Sequence, residues 1–197
     1  MNEIIWHGRG GQGVVLASEV LAEAAYLQGY KGVTSAPTFG PERRGAPLSA
    51  STRIADEPIR IFSRIERPHI AVVLDESLFD TMDIAGTLRE GGILIVNSDK
   101  PPEKFVPKKK RSSIRAATVD AVSIAREYRL FVGGAPVVNT PLLGALARVW
   151  NGIEMKNIEQ GMGFKMSPPA AYNNFQAARS AFERTLVNGG EGREEQK

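Results

Sequence analysis

Trp6-His7-Gly8-Arg9-Gly10-Gly11-Gln12-Gly13 places four glycines in six residues, between a short apolar run and a long helical pattern. Upstream, Glu3-Ile4-Ile5-Trp6 reads as an opening strand. Downstream, Val14 to Gln28 carries Ala17, Val20, Leu21, Ala24 and Leu27 at helical spacing. Strand, glycine turn and helix make the first unit of an α/β fold. Gly8, Gly10 and Gly13 fit G-x-G-x-x-G, in which glycines turn the backbone tightly and let it approach an anion, while the helix N-terminus offers unpaired N–H groups. A tight strand-to-helix turn also favours glycine without any ligand, so phosphate cradle and plain turn both stand. A nicotinamide site further needs an acidic residue about 20 positions on, at the end of the second strand. The second strand, Lys31 to Ser35, is followed by no Asp or Glu until Glu42, which disfavours that site.

Outward from this unit, Pro37 to Pro47 is too rich in Pro, Gly and Arg for regular structure. Leu48 to Ile54 and Ile59 to Ile65 then alternate with period two, and Ala55-Asp56-Glu57-Pro58 joins them, predicting an antiparallel hairpin. From Ile70 the strands become continuous apolar runs, the texture of a sheet covered on both faces. Ile70 to Leu74, Ile93 to Val96 and Ser113 to Val119 are such strands. Helices are expected over Leu78 to Leu88, Ala121 to Tyr128, Asn139 to Trp150, Ile153 to Gly161 and Ala170 to Leu186. In the third of these, Asn139 is a capping side chain ahead of Pro141. The expected fold is α/β, a three-layer α/β/α arrangement with a mixed, mostly parallel sheet and an inserted antiparallel hairpin. One domain should span residues 1–187, and residues 188–197 should form a disordered tail.

A chain of 197 residues with 42% hydrophobic content can bury one sizeable core. The N-terminus lacks a basic segment followed by an apolar one, and no run approaches the roughly 18 apolar residues of a membrane span, so a cytoplasmic protein without membrane contact is expected. Zero cysteines exclude disulfides, thiolate nucleophiles and cysteine-ligated iron–sulfur clusters on this chain. With His7 and His69 the only histidines, a zinc site is not expected. The net charge of +3 and pI near 9.3 raise the question of nucleic acid. Six positive charges, however, fall at Lys104, Lys108, Lys109, Lys110, Arg111 and Arg115. Removing them from 25 basic residues leaves 19 against 22 acidic ones. A broad basic face is therefore missing, and no nucleic-acid partner is expected.

Three further constellations each have two readings. Arg43 and Arg44, stiffened between Gly40-Pro41 and Gly45-Ala46-Pro47, suit bidentate recognition of phosphate or carboxylate, or form a solvated turn with Glu42. Asp75-Glu76 follow a strand end, where ligands meet open α/β sheets, or cap the next helix. His7 borders the glycine turn and could touch a ligand, although a lone histidine after a strand is more often a packing residue. No catalytic side chain emerges, because no Ser/His/Asp arrangement is present. Lys108-Lys109-Lys110-Arg111, behind Pro101-Pro102 and Pro107, reads as an exposed loop.

Taken together, His7 to Gly13, Phe39 to Pro47 (Phe-Gly-Pro-Glu-Arg-Arg-Gly-Ala-Pro), Thr52-Arg53-Ile54 and Asn139 to Leu146 (Asn-Thr-Pro-Leu-Leu-Gly-Ala-Leu) closely resemble the gamma subunit of 2-oxoacid:ferredoxin oxidoreductases over roughly residues 3 to 187. The Glu-Arg-Arg-Gly-Ala-Pro loop is most similar to the pyruvate type, with 2-oxoisovalerate enzymes close behind. The resemblance implies a complex that decarboxylates a 2-oxoacid on thiamine diphosphate, passes electrons through iron–sulfur clusters to ferredoxin, and leaves the acyl group on coenzyme A. Alpha, beta and delta subunits would hold the thiamine and the clusters. This chain would assist coenzyme A binding and assembly, with Gly8, Arg9, Gly10, Gly11, Gln12, Gly13, Arg43, Arg44 and Asn139 as the implied contacts. The other reading of the glycine turn is a contact with the thiamine-bearing chains, and a free-standing nucleotide- or coenzyme A-binding regulator is the alternative from another class. The basic run then reads either as a solvated loop or as a landing site for coenzyme A phosphates or ferredoxin.

Overall fold

The computed structural model describes residues 1–38, 45–110 and 113–188. Strand β1 (Asn2–Arg9) runs through the glycine turn into helix α1 (Val14–Leu27). Strands β2 (Gly32–Thr38) and β3 (Pro47–Ala55) follow, then β4 (Ile70–Val73). After the one-turn helix α2 (Ile84–Thr87) come β5 (Gly92–Asn97), β6 (Ile114–Val119) and α3 (Ala121–Glu127). Two short strands, β7 (Phe131–Val132) and β8 (Ala135–Pro136), form a small separate hairpin. Helices α4 (Asn139–Val149), α5 (Met155–Lys165) and α6 (Pro168–Arg184) close the fold, ahead of β9 (Leu186–Val187).

The main sheet has seven strands in the order β2-β3-β1-β4-β5-β6-β9. β1, β4, β5 and β6 are parallel, whereas β3 runs antiparallel between β1 and β2, and β9 antiparallel beside β6. The α/β class and the mixed sheet are as the sequence predicts. The antiparallel hairpin differs in its second strand: β3 pairs with β2, not with Ile59 to Ile65, which is irregular. β1 and β2 already occupy both edges of β3, so no ladder is left for a following strand. β2 also runs through Pro37, which sits on an edge strand where a missing N–H is tolerated.

One face of the sheet carries the larger core, in which Ile4, Trp6, Leu21, Ile70, Val72 and Leu142 are buried beneath helices α1, α3, α4, α5 and α6. Ten of the eleven residues of α4 are buried, so this helix is internal. A Cβ on Gly144 would lie 1.8 Å from the Ala178 carbonyl oxygen, which makes α4 and α6 cross backbone to backbone. The other face is covered more thinly, by Leu78, Ile84, Leu88 and Val106 over Ala71, Val73 and Leu94. The single helix expected over Leu78 to Leu88 is here two pieces. Asp75 caps a 3-10 turn, Glu76–Asp80, and Asp83 caps α2 by accepting from the Gly86 N–H at 2.9 Å. Two separate caps so close in sequence stop one helix and start another.

Thr52-Arg53-Ile54 fastens the middle of the sheet. The buried Trp6 indole donates to Thr52 Oγ1 at 3.2 Å, Arg53 pairs with Glu3, and Ile54 enters the core. At the far edge, Asn188 continues β9: its N–H donates to Ala116 O at 2.9 Å, its Oδ1 accepts from Ala116 N–H at 2.6 Å, and its Nδ2 donates to Ile114 O at 3.3 Å. Asn188 is thus tied to the edge of the sheet. The remainder of the expected tail, 189–197, lies outside the described residues.

Candidate ligand site at the glycine turn

The chain leaves β1 and β4 side by side, and the connection from β1 goes toward β2 while β4 leads to β5 on the other side. The carboxyl ends of two such strands form a switch point, where open α/β sheets accept ligands. Gly8 to Gly13 occupies the end of β1, and Asp75 the end of β4.

Gly13 has φ +77 and ψ +26, a left-handed conformation that glycine adopts without steric cost. A Cβ on Gly13 would lie 2.4 Å from Asn139 Nδ2, which donates to the Gly13 carbonyl oxygen at 3.1 Å. Asn139 is 2% exposed and does not cap its own helix, contrary to the sequence expectation. Its amide is committed across the fold to the turn, 126 residues away. A Cβ on Gly8 would meet Val14 Cγ2 at 2.5 Å, so this glycine lets the start of α1 sit against the strand.

The side chains around the turn are engaged with one another. Arg9 Nε donates to Asp75 Oδ2 at 3.1 Å, Arg9 Nη2 to Ser77 Oγ at 2.7 Å and Arg9 Nη1 to Gly45 O at 3.2 Å. Gln12 accepts from its neighbour Arg9 N–H at 2.7 Å and donates to Asp75 Oδ2 at 3.0 Å. Gly10 exchanges backbone bonds with Ala46 and Gly45, at 2.8 and 3.1 Å. Among the described residues, the N–H groups of Gly11, Gly13, Val14 and Val15 have no acceptor. Among the described residues no side chain caps α1 and its first turn holds no acidic residue, so the positive end of its dipole meets no anion there.

Asp75 is the hub, and it is also the helix cap that the sequence allowed, accepting from Ser77 N–H at 3.1 Å. Burial pushes its carboxyl up, but hydrogen bonds from the Ser77 hydroxyl, Gln12 and Ser77 N–H, with the Arg9 charge, hold it below the usual range. Neighbouring Glu76 is likewise lowered, through its bonds from Lys100 and Ser98. The two carboxylates are therefore anionic partners of cations and amides rather than proton carriers. Beyond Ser77 opens a crevice of about 510 Å³, with Glu76, Phe79, Lys100, Lys104 and Phe105 in its walls. His7 is buried in β1, which drives its pKa down to about 4 and keeps the ring neutral. Its Nε2 has no hydrogen-bond partner among the described residues.

Gly8 to Gly13 and Asn139 thus come together, as grouped from the sequence. Arg43 and Arg44 lie outside the described residues. Of the hub formed by Asp75 and Ser77, the sequence signals only Asp75, through its position after an apolar strand where ligands meet open α/β sheets; nothing in it points to Ser77. Among the described residues no group of three or more His, Cys, Asp or Glu could hold a metal ion, and no helix is long and apolar enough to cross a membrane.

The family model for pyruvate ferredoxin/flavodoxin oxidoreductase matches residues 3–184. The chain is 46% identical over 187 residues to the pyruvate/ketoisovalerate oxidoreductases common subunit gamma of Thermococcus litoralis, covering 95% of this chain and 98% of that one. It is 42% identical over 162 residues to the pyruvate synthase subunit PorC of Methanosarcina barkeri, covering 82% and 85%. The crystal structure of pyruvate oxidoreductase subunit PORC from Thermotoga maritima superposes with a TM-score of 0.77 at 35% identity, over 95% of this chain and 98% of that one. The chain belongs to the pyruvate ferredoxin/flavodoxin oxidoreductase family, as a gamma-type subunit of a 2-oxoacid:ferredoxin oxidoreductase.

Proposed function

We propose that the chain serves a cytoplasmic complex which oxidatively decarboxylates pyruvate to acetyl-coenzyme A and carbon dioxide while reducing ferredoxin, and that its glycine turn receives coenzyme A. The observation that carries this reading is the set of N–H groups at Gly11, Gly13, Val14 and Val15 that have no acceptor among the described residues, at a strand switch point with a crevice opening beyond Ser77. Phosphate oxygens are the acceptors such a turn suits, because they combine negative charge with several lone pairs. Arg9, Gln12 and Asn139 would act by fixing the shape of the turn, since their polar groups are already bonded within it. Arg43 and Arg44 would supply further phosphate contacts. Thiamine diphosphate and the iron–sulfur clusters would reside on alpha, beta and delta subunits, because this chain has no cysteine to ligate a cluster. 2-Oxoisovalerate is the second substrate class, because the relative from Thermococcus litoralis is a subunit common to both enzymes.

Gly10 tests the reading, because its φ is not left-handed and a side chain there meets no backbone strain. In the assembled complex, Gly10→Val is expected to raise KM for coenzyme A at least severalfold with KM for pyruvate unchanged. An unaltered coenzyme A KM in a fully assembled variant overturns the coenzyme A assignment.

A further inference from the structure

At the opposite end of the sheet from the glycine turn, an irregular segment is held in place by buried charge. Glu3 and Arg53 are each 6% exposed. Arg53 Nε donates to Glu3 Oε1 at 3.1 Å, and Arg89 Nη2 donates to Glu3 Oε2 at 2.7 Å. Three other guanidinium nitrogens of these arginines grip the backbone that follows β3. Arg53 Nη1 donates to Ile61 O at 3.4 Å and Nη2 to Ser63 O at 2.5 Å, while Arg89 Nε donates to Arg67 O at 2.6 Å. Ile65 is tucked in at 6% exposure. The residue clamped between the two Arg53 bonds is Phe62, which is 85% exposed, beside Ile61 at 51%.

A buried ion-pair network is a costly way to stabilise a fold, since desolvation cancels much of the attraction. Here it fixes the carbonyls on either side of an aromatic side chain that touches almost nothing. Rigid backbone under an exposed aromatic is the arrangement of a pre-organised binding anchor, because the ordering entropy is lost on folding rather than on association. We infer that the segment Arg60 to Arg64 is a docking anchor, and that its occupant is another subunit of the oxidoreductase complex presenting an apolar pocket rimmed by carboxylates. Charge selects that occupant. Arg60, Arg64 and Arg67 are exposed and form no ion pair among the described residues. A second copy of this chain meeting the same segment would bring three unpaired arginines from each copy into one contact, a like-charge repulsion that disfavours self-association there.

The test uses the complex purified through a tag on a larger subunit, with the occupancy of this chain followed across a dilution series. Phe62→Ser is expected to raise the dissociation constant about 10- to 100-fold, the range of an interface anchor. Arg60→Glu combined with Arg64→Glu is expected to raise it as well, with a loss that shrinks as salt rises. The isolated Phe62→Ser chain should unfold at the wild-type midpoint, since the side chain is exposed, and KM for coenzyme A in the assembled fraction should not move. Wild-type occupancy of both variants at every dilution overturns the anchor while leaving the glycine-turn reading intact. Self-association of the isolated wild-type chain that Phe62→Ser abolishes overturns the choice of partner.

Discussion

Replacing Gly13 with alanine should damage the fold through a steric coupling that can be isolated. A non-glycine residue in the left-handed region costs about 1 to 2 kcal/mol. The added Cβ would also lie 2.4 Å from Asn139 Nδ2 and 2.8 Å from Asn139 Cγ. Asn139 is buried in the first turn of an internal helix, so its amide has to swing away from the turn. That loses its bond to Gly13 O and strands a buried polar group, for about 1 to 3 kcal/mol more. The expected total is about 2 to 5 kcal/mol, a large share of the roughly 5 to 15 kcal/mol that holds a domain folded. Urea unfolding of the isolated chain measures it. In an Asn139→Ala background the clash and the stranded amide are both gone, so Gly13→Ala should then cost only the backbone component, about 1 to 2 kcal/mol. Equal costs in the two backgrounds would refute the coupling and leave Asn139 as an ordinary helix residue.

The isolated chain, having no cysteine, should be colourless and inactive with pyruvate, coenzyme A and a viologen acceptor; absorbance and turnover check this, and activity of the chain alone would contradict a subunit role. Asp75→Asn should lower stability at neutral pH and flatten its acid dependence. A carboxyl held below its usual range contributes fully above the unfolded-state pKa of about 3.9 and loses that contribution as pH falls through its lower folded value, which unfolding midpoints between pH 6 and 2 would show. Glu3→Gln should cost about 3 to 5 kcal/mol, because it leaves the buried Arg53 guanidinium without its anion, and denaturant unfolding reads this directly. In the basic run Arg111 lies outside the described residues and Lys110 donates to Gly86 O at 2.9 Å, so among the described residues Lys108 and Lys109 are its exposed cations; changing these two to Ser should lower second-order rate constants at low salt and leave kcat unchanged.

Strong local periodicity made the backbone of the fold legible. Trp6 to Gly13 with its following helix, the apolar strands at Ile70, Ile93 and Ile114, and the closing helices all fall within a few residues of their expected positions. What failed was competition between distant segments. Ile59 to Ile65 alternates as a strand should, yet the sequence does not reveal that β1 and β2 fill both edges of β3, or that Arg53 claims the Ile61 and Ser63 carbonyls. Pro37 looks like a strand breaker until the sheet order puts it on an edge. At the site, the glycines announced the turn, because their chemistry is local. Asn139 was grouped with them from the family motif, but its capping role was misread, since the acceptor it serves lies 126 residues away. The pairing of Arg9 with Asp75 was likewise invisible, because it depends on β1 and β4 lying side by side.

The asparagine at the far end of the sheet bears on how the chain must be handled. β6 is an apolar strand, Ile-Arg-Ala-Ala-Thr-Val, and without its outer neighbour it would present a row of bare amides and carbonyls to solvent. β9 covers only Ala117 and Thr118, and Asn188 extends that cover by answering Ala116 with both its backbone and its side chain. Three residues thus blunt an edge that would otherwise template the addition of a foreign strand. A truncation that ends at Thr185 would keep every helix and nearly all of the core, yet it would bare the β6 edge as a template for strand addition and is expected to make the chain prone to aggregation.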